Sequence, residues 1–190
     1  MSDLQPFATT DELTALLADT NLTVSAAAAQ LDLAAATQAI RNFARWHIAP
    51  LQVQTVRLSS RGGLVYLPTL QLDSIVSVTS DGFAIDPDTV VFDPDAGAII
   101  APRTLYRGWS VNRGGVVVQF QHGYEDVPAD LKRLCLELVI RSRAAPTAMT
   151  REQTMSSSAT PSLSAPGVAG GIVLLPHEEQ TVNPYRIAVL

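Results

Sequence analysis

The feature that most restricts the fold is a change of hydrophobic period within one chain of 190 residues, from helical to strand-like and back again. Side chains on a helix return to the same face every three or four residues, whereas on a strand they alternate, so one pattern cannot occupy the other geometry. Residues 9 to 48 carry the helical period, 52 to 124 the period of two, and 127 to 143 the helical period again. The β-rich stretch is therefore an insert between helices. The expected class is α+β: a helical bundle formed by N-terminal and post-sheet helices, an inserted antiparallel β-domain, and an extended C-terminal arm. The boundaries are residues 1–50 for the N-terminal helices, 51–124 for the β-domain, 125–145 for a core helix packing on the N-terminal ones, and 146–190 for the arm.

The first helix is announced by Thr9-x-x-Glu12, the spacing of a capping box, followed by Leu13, Leu16 and Leu17 at helical intervals. "DTNLTV" interrupts it. "SAAAAQLDLAAATQAIRNFARWHIA" then places Leu33, Ala36, Ile40, Phe43 and His47 on one stripe, with Pro50 as the stop. Its alanines permit close approach of another helix. In "HGYEDVPADLKRLCLELVIRSR" a helix is expected to start near Val127, because Pro128 suits a first turn and Asp126 and Asp130 favour the positive helix end. Leu131, Leu134, Cys135 and Leu138 form a core stripe. Leu136 and Ile140 form a second one, set apart by Lys132 and Arg143. Two oily stripes on one helix require two partners, the second being the rest of the chain or a neighbouring copy.

Between them, "VQTVRL", "LVYL", "SIVSVTS", "FAI", "VVF", "AIIA" and "GGVVVQFQHGY" are short alternating runs separated by turn residues. Asp81-Gly82 is a hairpin signal, since both tolerate positive φ. Six or seven antiparallel strands follow from this count. After residue 144, "TAMTREQTMSSSATPSLSAPGVAGG" is too poor in bulky side chains to build a core. "IVLLPHEEQTVNPYRIAVL" then restores apolar residues, including Ile172, Val173, Leu174, Leu175, Tyr185, Ile187 and Leu190, which fits an arm that docks elsewhere.

Hydrophobic residues make up 47% of the chain and charged ones only 16%, against roughly 25% in ordinary soluble domains, which points to assembly. No apolar run approaches the ~18 residues of a membrane span, and the acidic opening "MSDLQPFATTDEL" lacks the apolar core of a secretory leader, so a cytoplasmic protein without membrane contact is expected. The net charge of −5 with a single lysine, Lys132, opposes a protein that grips nucleic acid through phosphates. Cys135, on the core stripe, is a packing residue.

Catalytic and ligand-binding patterns are weak. His47, His122 and His177 share no i, i+4 spacing and no cysteine partner, so no metal site is expected. Asp86, Asp88, Asp93 and Asp95 lie in Asp-Pro-Asp turns without the spacing of a calcium loop. "SRGGL" and "NRGGV" precede strands rather than helices, which makes them hairpin turns whose Arg61 and Arg113 are free to meet a partner or DNA. Glu178 and Glu179 sit in the arm. Trp46 is expected in the core, and Trp109, in the loop-like "YRGWSVNRGG", is a candidate for either core or interface. No enzyme and no cofactor are expected.

The order "AIRNFARWHIAPLQVQTVRL", "VYLPTLQLDSIVSVTSDG", "VVVQFQHGYEDVPADLKRLCLELVIRSR" and "LLPHEEQTVNPYRI" resembles the head-to-tail connector, or adaptor, proteins of long-tailed bacteriophages, particularly those of actinobacterial hosts. "GYEDVPADLKRL" and "WHIAP" carry most of the likeness. The resemblance implies a structural protein of the virion neck, assembled in the host cytoplasm. It also implies a dodecameric homo-oligomeric ring beneath the portal protein, whose channel passes double-stranded DNA without sequence-specific binding toward a downstream neck or tail-completion protein. The β-insert and long arm depart from the smallest members. The expected interface residues are Leu136, Ile140, Trp109, Ile172, Leu174, Leu175, Tyr185 and Ile187, with Arg61 and Arg113 near channel or DNA. Two other classes compete. One is a β-sandwich recognition module of a phage tail or baseplate that binds a host glycan or protein through Trp109 and Tyr106. The other is a small hydrolase using Asp86, Asp93 or His122.

Overall fold

A computed structural model describes residues 5–18, 24–61, 63–94, 97–103, 105, 108–144 and 172–187, with the backbone alone of 152–154 and 157–159. Tyr106, Asp95 and Leu190 lie outside the described residues. The chain forms two compact units, each assembled from separate stretches: Met1–Phe43 with Pro128–Pro184, and Ala44–Val127 with Tyr185–Leu190.

The first unit is helical. Helix α1 (Thr10–Leu17) opens with the expected capping box, in which the Glu12 N–H donates to Thr9 Oγ1 at 3.2 Å and the Thr9 N–H to Glu12 Oε2 at 2.8 Å. Helix α2 (Ala26–Ala44) buries Leu33, Ala36, Ile40 and Ala44 along one side, and helix α3 (Ala129–Ala144) buries Leu131, Leu134, Cys135 and Leu138. The first α3 bond runs from the Lys132 N–H to Pro128 O at 2.9 Å, so the proline immediately precedes the helix, where no N–H is required of it. Residues before α1 strap across α2: the Phe7 N–H donates to buried Thr37 Oγ1, and the Arg41 guanidinium lies 4.8 Å from the Phe7 ring centre while donating to Gln5 O. Two short strands, β8 (Glu152–Thr154) and β9 (Ser157–Ala159), pair antiparallel, and helix α4 (Pro176–Val182) follows.

One boundary differs from expectation. Helix α2 stops at Ala44, short of Pro50, because Arg45 adopts φ 70°, the left-handed conformation that ends a helix. His47 therefore leaves the helical stripe on which it was expected.

The second unit holds all seven expected strands: β1 (Gln52–Leu58), β2 (Leu64–Tyr66), β3 (Leu72–Ser80), β4 (Phe83–Ile85), β5 (Val91–Asp93), β6 (Ala98–Ile100) and β7 (Val116–His122). They form a four-stranded sheet of order β1-β7-β3-β4 and a three-stranded sheet of order β2-β6-β5, antiparallel throughout. The β3–β4 hairpin turns at Asp81 and Gly82 with φ of 51° and 82°, the positive values that the pair was expected to supply. Val65 and Ile99 from the smaller sheet meet Val78, Val116, Val118 and Phe120 from the larger, making one core. At the end of β7, Gly123 permits a close crossing: a Cβ there would stand 2.8 Å from Pro50 O, and φ is 108°.

Candidate functional site

The second oily stripe of α3 is largely covered within the chain: Leu136 is 6% exposed and Ile140 is half-buried. Ala129, Lys132, Arg133, Leu136, Glu137 and Ile140, spaced three and four residues apart, join Leu16 of α1 to line an open groove of about 460 Å³ in the helical unit. Leu16 was expected on the inner side with Leu13 and Leu17. Those two are buried, but Leu16 is 50% exposed and lines the groove. The charges on the groove walls are already matched: Lys132 Nζ is 3.0 Å from Glu12 Oε1, and Arg133 Nε is 2.8 Å from Glu137 Oε1. The Thr9 backbone N–H, with Lys132 adding to it, holds the Glu12 carboxyl below its ordinary range. An occupant of this groove needs an uncharged face.

The distal part of the arm is engaged within the chain. Glu178 is buried, accepts the Leu175 N–H at 2.7 Å and forms an ion pair with Arg141 of α3. Arg141 also donates to Val173 O. Leu175 and Val182 are buried, whereas Ile172 and Leu174 are half-buried. In the other unit, the Trp46 indole N–H donates to Tyr185 O at 2.6 Å, the Ile187 N–H donates to Ala44 O at 3.0 Å, and the Tyr185 ring meets Tyr124 edge-on. These residues hold to the chain's own helices and turns. Nothing in the spacing of Trp46 and Tyr185, 139 residues apart, signals this contact.

The two Arg-Gly-Gly turns come together. The Ser60 hydroxyl donates to Ser110 O and the Gly114 N–H to Ser59 Oγ, so Arg61 and Arg113, both exposed, share one end of the β-bearing unit with Arg57. Asp81 lies beside them, and hydrogen bonds from Ser110 Oγ (2.6 Å) and Asn112 Nδ2 (2.9 Å) lower its pKa. This end is a small basic patch on an acidic protein.

Trp109 belongs to the β core: it is 3% exposed and its indole N–H donates to Ile99 O at 3.2 Å. A core tryptophan is not available to a partner, which corrects its candidacy as an interface residue and removes one of the two aromatic anchors of the recognition-module reading.

His47 and His122, separate in sequence, stand edge to face with ring centres 6.0 Å apart in an aromatic cluster with Trp46, Phe120 and Tyr124. Burial, with His47 adding to it, pushes the His122 pKa down to about 4, so the ring is neutral at physiological pH. His177 is exposed on α4. Among the described residues no three metal-capable side chains cluster. Asp86 Oδ1 accepts the Asp88 N–H and caps a short 3-10 turn at Pro87–Thr89, and Asp93 ends β5, which accounts for those carboxylates as turn formers. Cys135 is buried and its thiol pKa is raised by desolvation.

No family model matches the chain, and no curated protein does. Among solved structures it is similar to a chain from "Neck of empty GTA particle computed with C6 symmetry", at 15% sequence identity and a TM-score of 0.52, over 95% of this chain and 90% of that one. At that identity the likeness concerns the fold. No described helix is long and apolar enough to cross a membrane.

Proposed function

We propose that the protein is a structural, non-catalytic component of the neck of a phage-like particle: a ring-forming head-to-tail adaptor that joins the portal to the tail and continues the DNA channel. The observation that carries this reading is the shared fold with a chain of a particle neck over nearly the full length of both chains. The resemblance of "GYEDVPADLKRL" and "WHIAP" to head-to-tail connectors of long-tailed phages supports the same assignment.

The surfaces suit such a role. The groove leaves Leu16 and part of Ile140 wet in a solitary molecule, and a heterologous contact there closes into a ring when the rotation allows. An overall acidic protein repels the DNA backbone except where arginines such as Arg57, Arg61 and Arg113 sit, so a duplex passes without being held. In this reading Arg61 and Arg113 face the channel, and Ile172 and Leu174 extend the contact with the portal or a neighbouring copy.

The test uses the full-length chain. Sedimentation and negative-stain imaging at rising concentration should give closed rings of defined mass, twelve copies by the connector resemblance, and the rings should bind portal-bearing, tail-less capsids. A chain that stays monomeric at high concentration and ignores portal overturns the proposal.

A further inference from the structure

A closed ring built from one chain needs two different surfaces per copy, one that receives and one that enters. The ring reading above supplies only the first. On the same helical unit, α2 turns outward a face made of Ala27, Leu31, Ala34, Ala35, Gln38 and Asn42. Leu31 is 72% exposed, the most exposed large hydrophobic side chain of the helices. Helix α2 carries only two charged side chains, and neither is on this face. Asp32 pairs with Arg143 at 2.5 Å, and Arg41 is buried. A solvent-facing helix ordinarily carries lysine and glutamate on its outer side. Here the small residues lie beside a projecting leucine, and Gln38 and Asn42 satisfy one another at 2.7 Å.

The groove between α1 and α3 has the complementary character. Leu16 and Ile140 present its accessible apolar surface over buried Leu136, and its wall charges are matched within the chain by Lys132–Glu12 and Arg133–Glu137. A charged occupant would give up part of its hydration there and meet only side chains that already have a counter-ion. An uncharged ridge with one leucine meets no such penalty, and its alanines let the helix backbone sit close. Accordingly we infer that the α1–α3 groove of one copy receives the outer face of α2 of the next, with Leu31 entering between Leu16 and Ile140. The contact is head-to-tail, so every copy uses both surfaces and neither is left exposed in the closed ring. Face-to-face pairing of two α2 ridges would bury only alanine and one leucine from each and would end at a dimer.

The inference rests on the ring reading, and the experiment separates the two. In a Cys135→Ala background, which removes the one native thiol, Leu31→Cys and Ile140→Cys are introduced singly and together, and the assembled full-length protein is treated with a short thiol-to-thiol cross-linker. Helical circular dichroism and its urea transition establish that the helical unit of each variant is folded. The double variant should give a ladder of covalent oligomers rising to the copy number of the ring, and each single variant should give none. Leu31→Glu should reduce ring assembly at least tenfold in concentration, while Gln30→Glu, beside the face, should not. Dimers from Leu31→Cys alone, or rings that form without a ladder, overturn the α2-to-groove contact and leave the ring intact. A monomeric native chain overturns both.

Discussion

Buried histidine in the aromatic cluster makes the β-bearing unit acid-sensitive in a calculable way. His122 is 1% exposed, is packed against Trp46, His47 and Phe120, and its pKa falls from 6.5 to about 4. A histidine with a depressed folded-state pKa binds fewer protons when folded than when unfolded. Its contribution is therefore complete above the unfolded value and is lost as pH falls from 6.5 toward 4. Integrating between those limits gives a loss of about 2 kcal/mol by pH 5 and about 3 kcal/mol near pH 4. For a domain of this size 2 kcal/mol corresponds to roughly 10 °C in Tm. Both tryptophans lie in this unit, so thermal melts followed by tryptophan fluorescence report on it. His122→Phe, which keeps an aromatic ring in the cluster but cannot charge, should melt with a shallower pH dependence. The difference in Tm between wild type and variant should move by roughly 10 °C between pH 7.5 and pH 5 in the variant's favour, whatever its value at neutral pH. Parallel curves for the two proteins over that range would refute the reasoning.

Other consequences can be checked with single substitutions. Arg141→Ala strands the buried carboxylate of Glu178 on α4, and removing one partner of a buried pair costs on the order of 3 kcal/mol; residues 172–187 should lose hydrogen-exchange protection while β7 keeps it. Thr9→Ala removes the hydroxyl of the capping box and should cost about 1 kcal/mol in urea denaturation of the helical unit, whereas Thr9→Ser should cost little. Leu131→Ala, at a fully buried position of α3, should cost about 2–5 kcal/mol by the same measurement, against a small effect for Leu16→Ala, whose side chain is half exposed in the free chain. Gly123→Ala places a methyl against Pro50 O at a positive φ, and a fall in Tm of several degrees is expected where Gly82→Asn, in an open turn, is tolerated.

Much of this architecture is legible in local chemistry. The capping box at Thr9 and Glu12, the helical period of α2 and α3, and the alternation of all seven β-domain strands are properties of neighbouring residues, and each forms where the pattern lies. The two stripes of α3 are also local, and Leu136 and Ile140 of the second lie along the groove, the first buried and the other half-buried. What escaped was non-local. Leu16 sits among buried leucines in the sequence, but which side of α1 is covered depends on what packs against it, and Leu16 falls at the open edge. The end of α2 escaped because Arg45, an ordinary helix former, takes a left-handed conformation that suits the crossing near Ile48 and Gly123. Trp109 sits in a segment that looks like a loop, yet the two sheets close over it.

The sequence by itself determined the kinds of element, their order and the presence of a second apolar face, because periodicity, capping and turn chemistry act over four or five residues. The tertiary structure decided which surfaces are spent inside the chain and which are left over. It tied the apolar C-terminal segment to Arg141 and Trp46, brought Arg61 beside Arg113, and paired His47 with His122. Contacts between residues tens of positions apart depend on how helices and sheets pack, and packing is settled by volume and the satisfaction of buried polar groups across the whole unit, to which no short stretch of chain is sensitive.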